Sequence, residues 1–443
     1  MKKFFGEDAL LGNGSAAALY AQVKDLPIID YHCHLDASQI AADAPLGDIG
    51  ELWLAHDHYK WRAMRLCGVD ERLITGDASW EEKFLAYASV VPQLIGNPLY
   101  YWTHLELKQI FGIDCPLNAR TAADVYARAN EKLKTLTVRA LLGQFRVRYV
   151  ATTNDPTESL DCVGKYGDLL VAPTFRPDRL FSQREKFLGE LGACTGGKIG
   201  TLAQLCAALS ARLDLFCSKG CKLADHGFYA FPHSYASEKE AEALFARRDS
   251  LSAQENDALT GYLFLWLARE YAKRGMLLQM HFSVVRNVNS KIFALNGPDS
   301  GCDVFTNGVR GEDVIAFLDR LGGEGPEIVL YSLDPGAVPM LATITGAFRK
   351  VRMGAAWWFN DTAEGIRDNL SKLAEYSCLG THLGMLTDSR SFSSYSRFDF
   401  FRRLLCDYVG GMVERGEYAQ EDAEKLVRDI CYDNVARQFG LAK

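Results

Sequence analysis

Short β-rich runs alternating with helical segments constrain this chain more than any other feature. The runs are residues 26–34, 146–152, 169–175, 222–230, 276–282, 327–332, 351–356 and 383–387. Each is rich in Val, Ile, Leu, Phe or Tyr, and the intervening segments carry helical periodicity. Strands separated by helices form parallel βαβ units, and eight of them predict a closed (β/α)8 barrel, an α/β fold. The stretch at 36–140 is helical throughout and reads as an insertion between strands 1 and 2. Within it, Ser79-Trp80-Glu81-Glu82 and Thr121-Ala122-Ala123-Asp124 have the form of helix capping boxes. No repeat, low-complexity tract or Pro/Gly/Ser linker divides the 443 residues, so the chain is expected to be one decorated barrel over 1–443.

The net charge of −7 and the lack of any Lys/Arg run speak against nucleic acid as a partner. Gly6-Glu7-Asp8 interrupts the basic start before an apolar signal core forms, and the longest apolar stretch, Tyr262 to Ala268, is too short for a bilayer. The twelve cysteines are scattered and contain no Cys-x-x-Cys pair, which suits reduced thiols. A soluble, cytoplasmic protein with no membrane partner is expected.

In such a barrel the active site lies at the carboxyl ends of the strands. The first strand ends in Asp30-Tyr31-His32-Cys33-His34. Side chains alternate along a strand, so Asp30, His32 and His34 share one face, and Cys33 points the other way. Asp30 is expected beneath the histidines, within reach of a ring N–H. Asp155 follows strand 2, Arg176 ends strand 3, Asp225 and His226 lie in strand 4, His281 ends strand 5 and Asp388 ends strand 8. Asp388 with His32 and His34 gives an N₂O set with positions left for water or substrate. One divalent metal, zinc or alternatively manganese, is the expected cofactor. Arg390, two residues beyond Asp388, shares its face.

Other features fail. Gly192 to Ile199 spells most of a phosphate-binding loop but lacks the Ser/Thr, and no strand precedes it. His56 follows an apparent helix that would turn it away from His58. His104 and His233 read as ordinary helix or loop residues, and His382 as a surface residue.

The chain resembles the uronate (glucuronate) isomerase family of the amidohydrolase superfamily. The resemblance rests on Asp30-Tyr31-His32-Cys33-His34, Asp57-His58-Tyr59-Lys60-Trp61-Arg62-Ala63-Met64-Arg65, Thr152-Thr153-Asn154-Asp155-Pro156-Thr157, Phe175-Arg176-Pro177-Asp178, His281-Phe282-Ser283-Val284-Val285-Arg286-Asn287, Trp357-Trp358-Phe359-Asn360-Asp361 and Thr387-Asp388-Ser389-Arg390-Ser391-Phe392. It implies aldose–ketose isomerisation of hexuronates, D-glucuronate to D-fructuronate and D-galacturonate to D-tagaturonate. His32, His34 and Asp388 would hold the metal, with Asp388 also taking the C5 hydroxyl proton. Tyr59, in a loop after strand 1 that folds over the barrel mouth, would move the proton between C2 and C1. Such a phenolate needs a nearby cation, from His58, an arginine or the metal. Arg390 is the natural carboxylate clamp, with Arg176 and Arg286 as second candidates, Trp357 as a wall and His281 as a metal ligand or a substrate partner. The fourth strand offers no bridging lysine and the sixth no histidine, which disfavours a two-metal hydrolase site. The alternatives are a mononuclear metal-dependent hydrolase and a non-catalytic sugar-acid binding protein. A small-molecule hexuronate is the expected partner, and a homo-oligomer the expected assembly.

Overall fold

The structure is a computed structural model that describes residues 2–442; Met1 and Lys443, the ends of the expected 1–443 domain, lie outside it. Its frame is a curled sheet of seven parallel strands: β1 (Ile28–Cys33), β2 (Val147–Asn154), β3 (Leu169–Phe175), β4 (Leu223–Phe228), β5 (Leu277–Phe282), β6 (Glu327–Ser332) and β7 (Val351–Met353). They are hydrogen-bonded in chain order, every neighbour parallel. Strands covered on both faces need near-continuous apolar runs, and all six residues of β1 and of β5 are buried. This is the α/β fold that the alternation predicts. Helices Leu202–Ser218, Ala253–Lys273, Gly311–Leu321 and Val338–Thr345 carry the chain from β3 through to β7. The step from β2 to β3 has no such helix; it passes through the short strand Gly164–Tyr166, which forms an antiparallel hairpin with the start of β3.

The eighth strand is where the structure departs from expectation. Residues 383–387 run beside β1 but do not form a regular strand. Their amide groups are engaged elsewhere: Gly384 N–H donates to the His382 ring at 2.9 Å, and Thr387 N–H to the Asp30 carboxylate at 3.0 Å. Gly384 and Asp388 also have positive φ, which breaks the pleat. Contact with β1 resumes where Asp388 N–H donates to the His32 carbonyl at 3.0 Å and His34 N–H to the Ser389 carbonyl at 2.9 Å.

Between β1 and β2 the helices run from Ala37–Ala42 to Val138–Gln144. They bury their own cluster, which includes Ile49, Trp53, Phe84, Tyr87, Leu107 and Val125. Ser79 and Glu82 make the expected reciprocal capping box. Thr121 does not cap: its hydroxyl turns back to the Pro116 carbonyl at 2.7 Å, ahead of the helix. His382 is a correction too, since it is 1% exposed and stacks on Phe401. No helix among the described residues is long and apolar enough to cross a membrane.

Candidate active site

The carboxyl ends of the strands open into a cavity of about 550 Å³, a size that suits a small polar ligand. His34, His58, Tyr59, Arg176, His281, Arg286, Trp357, Asp388 and Arg390 all line it. His32 lies in its floor, fully buried. The residues singled out in the sequence therefore come to one place from six parts of the chain. Asp155 and His226 do not: Asp155 sits 3.6 Å from Arg179 and caps the turn at Thr157, and His226 is buried on the other face of its strand with Nε2 2.9 Å from the Tyr271 hydroxyl.

The floor is built by β1. His32 Nε2 and His34 Nε2 lie 3.3 and 3.1 Å from the same oxygen of Asp388, and the three form one cluster of possible metal ligands. Neither ring nitrogen of His32 has a hydrogen-bond partner. A buried imidazole whose nitrogens make no well-aimed hydrogen bond is costly, and a divalent cation between these atoms would satisfy it. Burial lowers His34 to about 4, so it is in the neutral form that ligates. The donor set thus fits the expected metal.

Asp30 does not orient a histidine, as the alternation suggested. Its two oxygens accept from the backbone N–H and the hydroxyl of Thr387, at 3.0 and 2.6 Å. It anchors the segment that delivers Asp388, and burial raises its pKa to about 6. Asp388 and Arg390 share the cavity for another reason than strand alternation. Asp388, Ser389, Arg390 and Ser391 all line it in succession, because Asp388 takes a φ of 46°. The Trp357 indole N–H donates to the second Asp388 oxygen, and its ring packs 4.5 Å from the rings of both His32 and His281.

On one wall, Asp225 lies 3.1 Å from Arg176 Nη1 and 3.4 Å from His281 Nε2. Burial opposes its ionisation, but Arg176 and His281 outweigh that and hold the carboxyl far below the usual range. His281 thus faces Asp225 rather than the cluster of His32, His34 and Asp388. Two neighbours here were missed in the sequence. Asp178 takes Arg176 Nε at 2.9 Å, and Gly227 leaves room that a Cβ would fill, 2.5 Å from His281 Cε1. Asp178 stood in the same motif as Arg176; nothing local marks Gly227.

The opposite wall is a helix, not the expected loop. Asp57 caps His58–Leu66, accepting from Tyr59 N–H at 3.0 Å and Lys60 N–H at 3.1 Å, which sets His58 and Tyr59 at the cavity. Burial lowers the His58 pKa, so its ring is neutral and is not the cation that a Tyr59 phenolate needs. That cation is Arg397, fully buried, 5.5 Å from the Tyr59 ring and 3.8 Å from Trp102. Even so, burial together with Asp388 keeps Tyr59 well above 10, and it stands as a phenol.

Arg390 and Arg286 close the mouth. Both approach Asp299, at 2.8 and 3.3 Å, and Arg286 also reaches Asp303 at 3.1 Å. Asn287, Asp299, Trp358 and Asp388 all line the cavity with positive φ, between 46° and 56°. Such conformations in non-glycine residues concentrate where surroundings hold a site in shape.

The glucuronate isomerase family profile matches residues 1–439. A uronate isomerase of Caldanaerobacter subterraneus subsp. tengcongensis is 41% identical, covering 100% of each chain. Among solved structures, the uronate isomerase of Thermotoga maritima superposes with a TM-score of 0.96 at 36% identity, over 99% of this chain and 100% of that one. The glucuronate isomerase of Caulobacter crescentus gives 0.93 at 27%, over 99% and 97%.

Proposed function

This chain belongs to the glucuronate isomerase family, and from that premise we propose how the cavity isomerises D-glucuronate to D-fructuronate and D-galacturonate to D-tagaturonate. The observation that carries the proposal is the convergence of a metal-ligand cluster, a partly buried phenol and a pair of guanidinium groups on one small cavity. In the open-chain sugar the C2 hydrogen leaves as a proton and its electron pair forms the C1=C2 bond of an enediol as O1 gains a proton. A proton then returns to C1 as O2 loses one, and the ketose results. No redox partner is needed.

His32, His34 and Asp388 would hold one divalent ion, zinc by the donor set with manganese second. When bound, that ion supplies Lewis-acid polarisation of substrate oxygens. On ring opening the anomeric hydroxyl loses its proton, the C1–O5 bond breaks and O5 gains a proton, which Asp388 relays. Tyr59, a phenol at rest, gives its proton to O1 and takes the one on C2, then gives that proton to C1 and takes the one on O2, and His281 hydrogen-bonds the sugar. Trp357 walls the cavity and fixes Asp388. Arg176, already engaged by Asp178 and Asp225, serves mainly to hold that wall. A cytosolic homo-oligomer acting on a diffusible sugar acid completes the proposal. The hydrolase alternative finds no support in the family, and neither does a binding protein without turnover. Incubating the purified protein with each aldose should yield the corresponding ketose by NMR, and no conversion of either would refute the reading.

Arg390 is assigned the substrate carboxylate because a guanidinium fork matches a carboxylate with two parallel hydrogen bonds, which Lys cannot reproduce. Arg390→Lys should therefore lose about 2–4 kcal/mol in kcat/KM although charge is kept. Near-wild-type kinetics in this variant would transfer the role to Arg286.

A further inference from the structure

Asp299 lies in residues 297–303, between the helix Ser290–Asn296 and the short strand Val304–Phe305. One of its oxygens accepts from Arg390 Nη2 at 2.8 Å, and the other lies 3.3 Å from Arg286 Nη1. A carboxylate held by Arg390 at the mouth of the cavity is the arrangement assigned above to the sugar acid. Here the chain itself supplies the anion. Arg286 has a second partner in Asp303, whereas Asp299 is the only carboxylate within 4.0 Å of Arg390 among the described residues.

The backbone that presents Asp299 is firmly seated. Arg65 donates to the Ser300 carbonyl, Arg62 to the Asp303 carbonyl at 3.0 Å, and the Asp303 carboxylate accepts Asn287 N–H at 2.7 Å. Gly301 fits so closely that a Cβ there would come within 2.6 Å of the His58 carbonyl oxygen. The loop is thus tied to the helix that carries Tyr59, and the Asp299 carboxylate can leave the arginines by side-chain rotation alone. Asp299 and Arg390 are each more than a third exposed, so water readily solvates both when they part.

We propose that Asp299 is a specificity-determining residue: it pairs with the arginines at the carboxylate position and yields that position only to a ligand with its own carboxylate and enough further contacts. The proposal rests on the reading of Arg390 as the carboxylate clamp. For a small acid such as acetate the exchange replaces one ion pair by another and gains little, so the arginines stay closed to it. A hexuronate adds contacts from its hydroxyl groups along the rest of the cavity, and these drive the exchange. Without the internal anion, Arg390 would stand unpaired while Arg286 keeps Asp303, and any carboxylate would gain a full ion pair with Arg390.

The test measures inhibition of D-glucuronate turnover by acetate in the wild type, Asp299→Asn and Asp299→Ser, with thermal melts to establish that each is folded; the Ser variant is read if the isosteric Asn fails. The acetate inhibition constant should fall about tenfold or more in the variants, with a lower KM for D-glucuronate, as expected when an intramolecular competitor is removed. The gain should vanish in the double variant Asp299→Asn with Arg390→Gln, which leaves no cation at the clamp. Unchanged acetate inhibition overturns the proposal, and so does a gain that persists in the double variant, since acetate would then sit on the metal-ligand cluster. A raised KM with unchanged acetate inhibition also overturns it and makes Asp299 a support for Arg390. If Arg390→Lys alone leaves kcat/KM at the wild-type value, the clamp reading itself has failed; an impaired Lys variant beside unchanged acetate inhibition removes only the role of Asp299.

Discussion

Replacing His32 and His34 together by Ala should strip the protein of its divalent ion and bring isomerase activity to background. The two imidazoles supply two of the three donors, and they meet over a single Asp388 oxygen at 3.3 and 3.1 Å. One remaining carboxylate cannot hold a divalent ion that needs three protein ligands. His32 is buried with both ring nitrogens unpartnered, so its removal also relieves an unpaired polar group, and the variant should fold. Elemental analysis checks the result directly: about one metal per chain in the wild type and almost none in the variant. Two metals per chain in the wild type, or full retention after the double substitution, would overturn the assignment.

Tyr59→Phe should bind substrate yet turn over about 100-fold more slowly or worse, the range expected when a proton-transfer group is removed. The phenol is held in place from several sides, by His58 stacked at 4.7 Å, Trp102 edge-on at 6.0 Å and the Arg397 guanidinium at 5.5 Å. Loss of the hydroxyl should therefore leave the ring where it is, so the kinetic change reports on chemistry. Burial and Asp388 keep the group protonated in the resting protein, while Arg397 is the neighbour that eases its ionisation. In D₂O the wild type should place some deuterium at C1 of the ketose and the variant none. An unimpaired Phe variant would reduce Tyr59 to a wall. Complete transfer of the C2 hydrogen to C1 without exchange would point to a hydride shift.

The sequence by itself determined what depends on neighbours along the chain. Period-two alternation on β1 put His32 and His34 on one face, as found at the floor of the cavity. Apolar runs between helices marked all seven strands, and Ser79 with Glu82 marked a helix start that the structure closes as a capping box. These follow from strand pleat and helix ends, which a few residues specify. Tertiary structure decided whatever joins distant positions. Asp30 goes to Thr387, across 357 residues, instead of to a ring nitrogen two residues away. With Gly384 bonded to His382, that contact leaves residues 383–387 without a strand ladder and turns Asp388 inward at positive φ. The same holds for charge. The sequence put Arg390 first as the carboxylate clamp, with Arg176 and Arg286 as second candidates, and only the fold gives Arg176 to Asp225 and Asp178, Arg286 to Asp303 and Asp299, and Arg390 to Asp299 alone. An arginine's chemistry is written in its side chain, but its availability is set by which carboxylates the packed chain brings within reach, and no local spacing carries that.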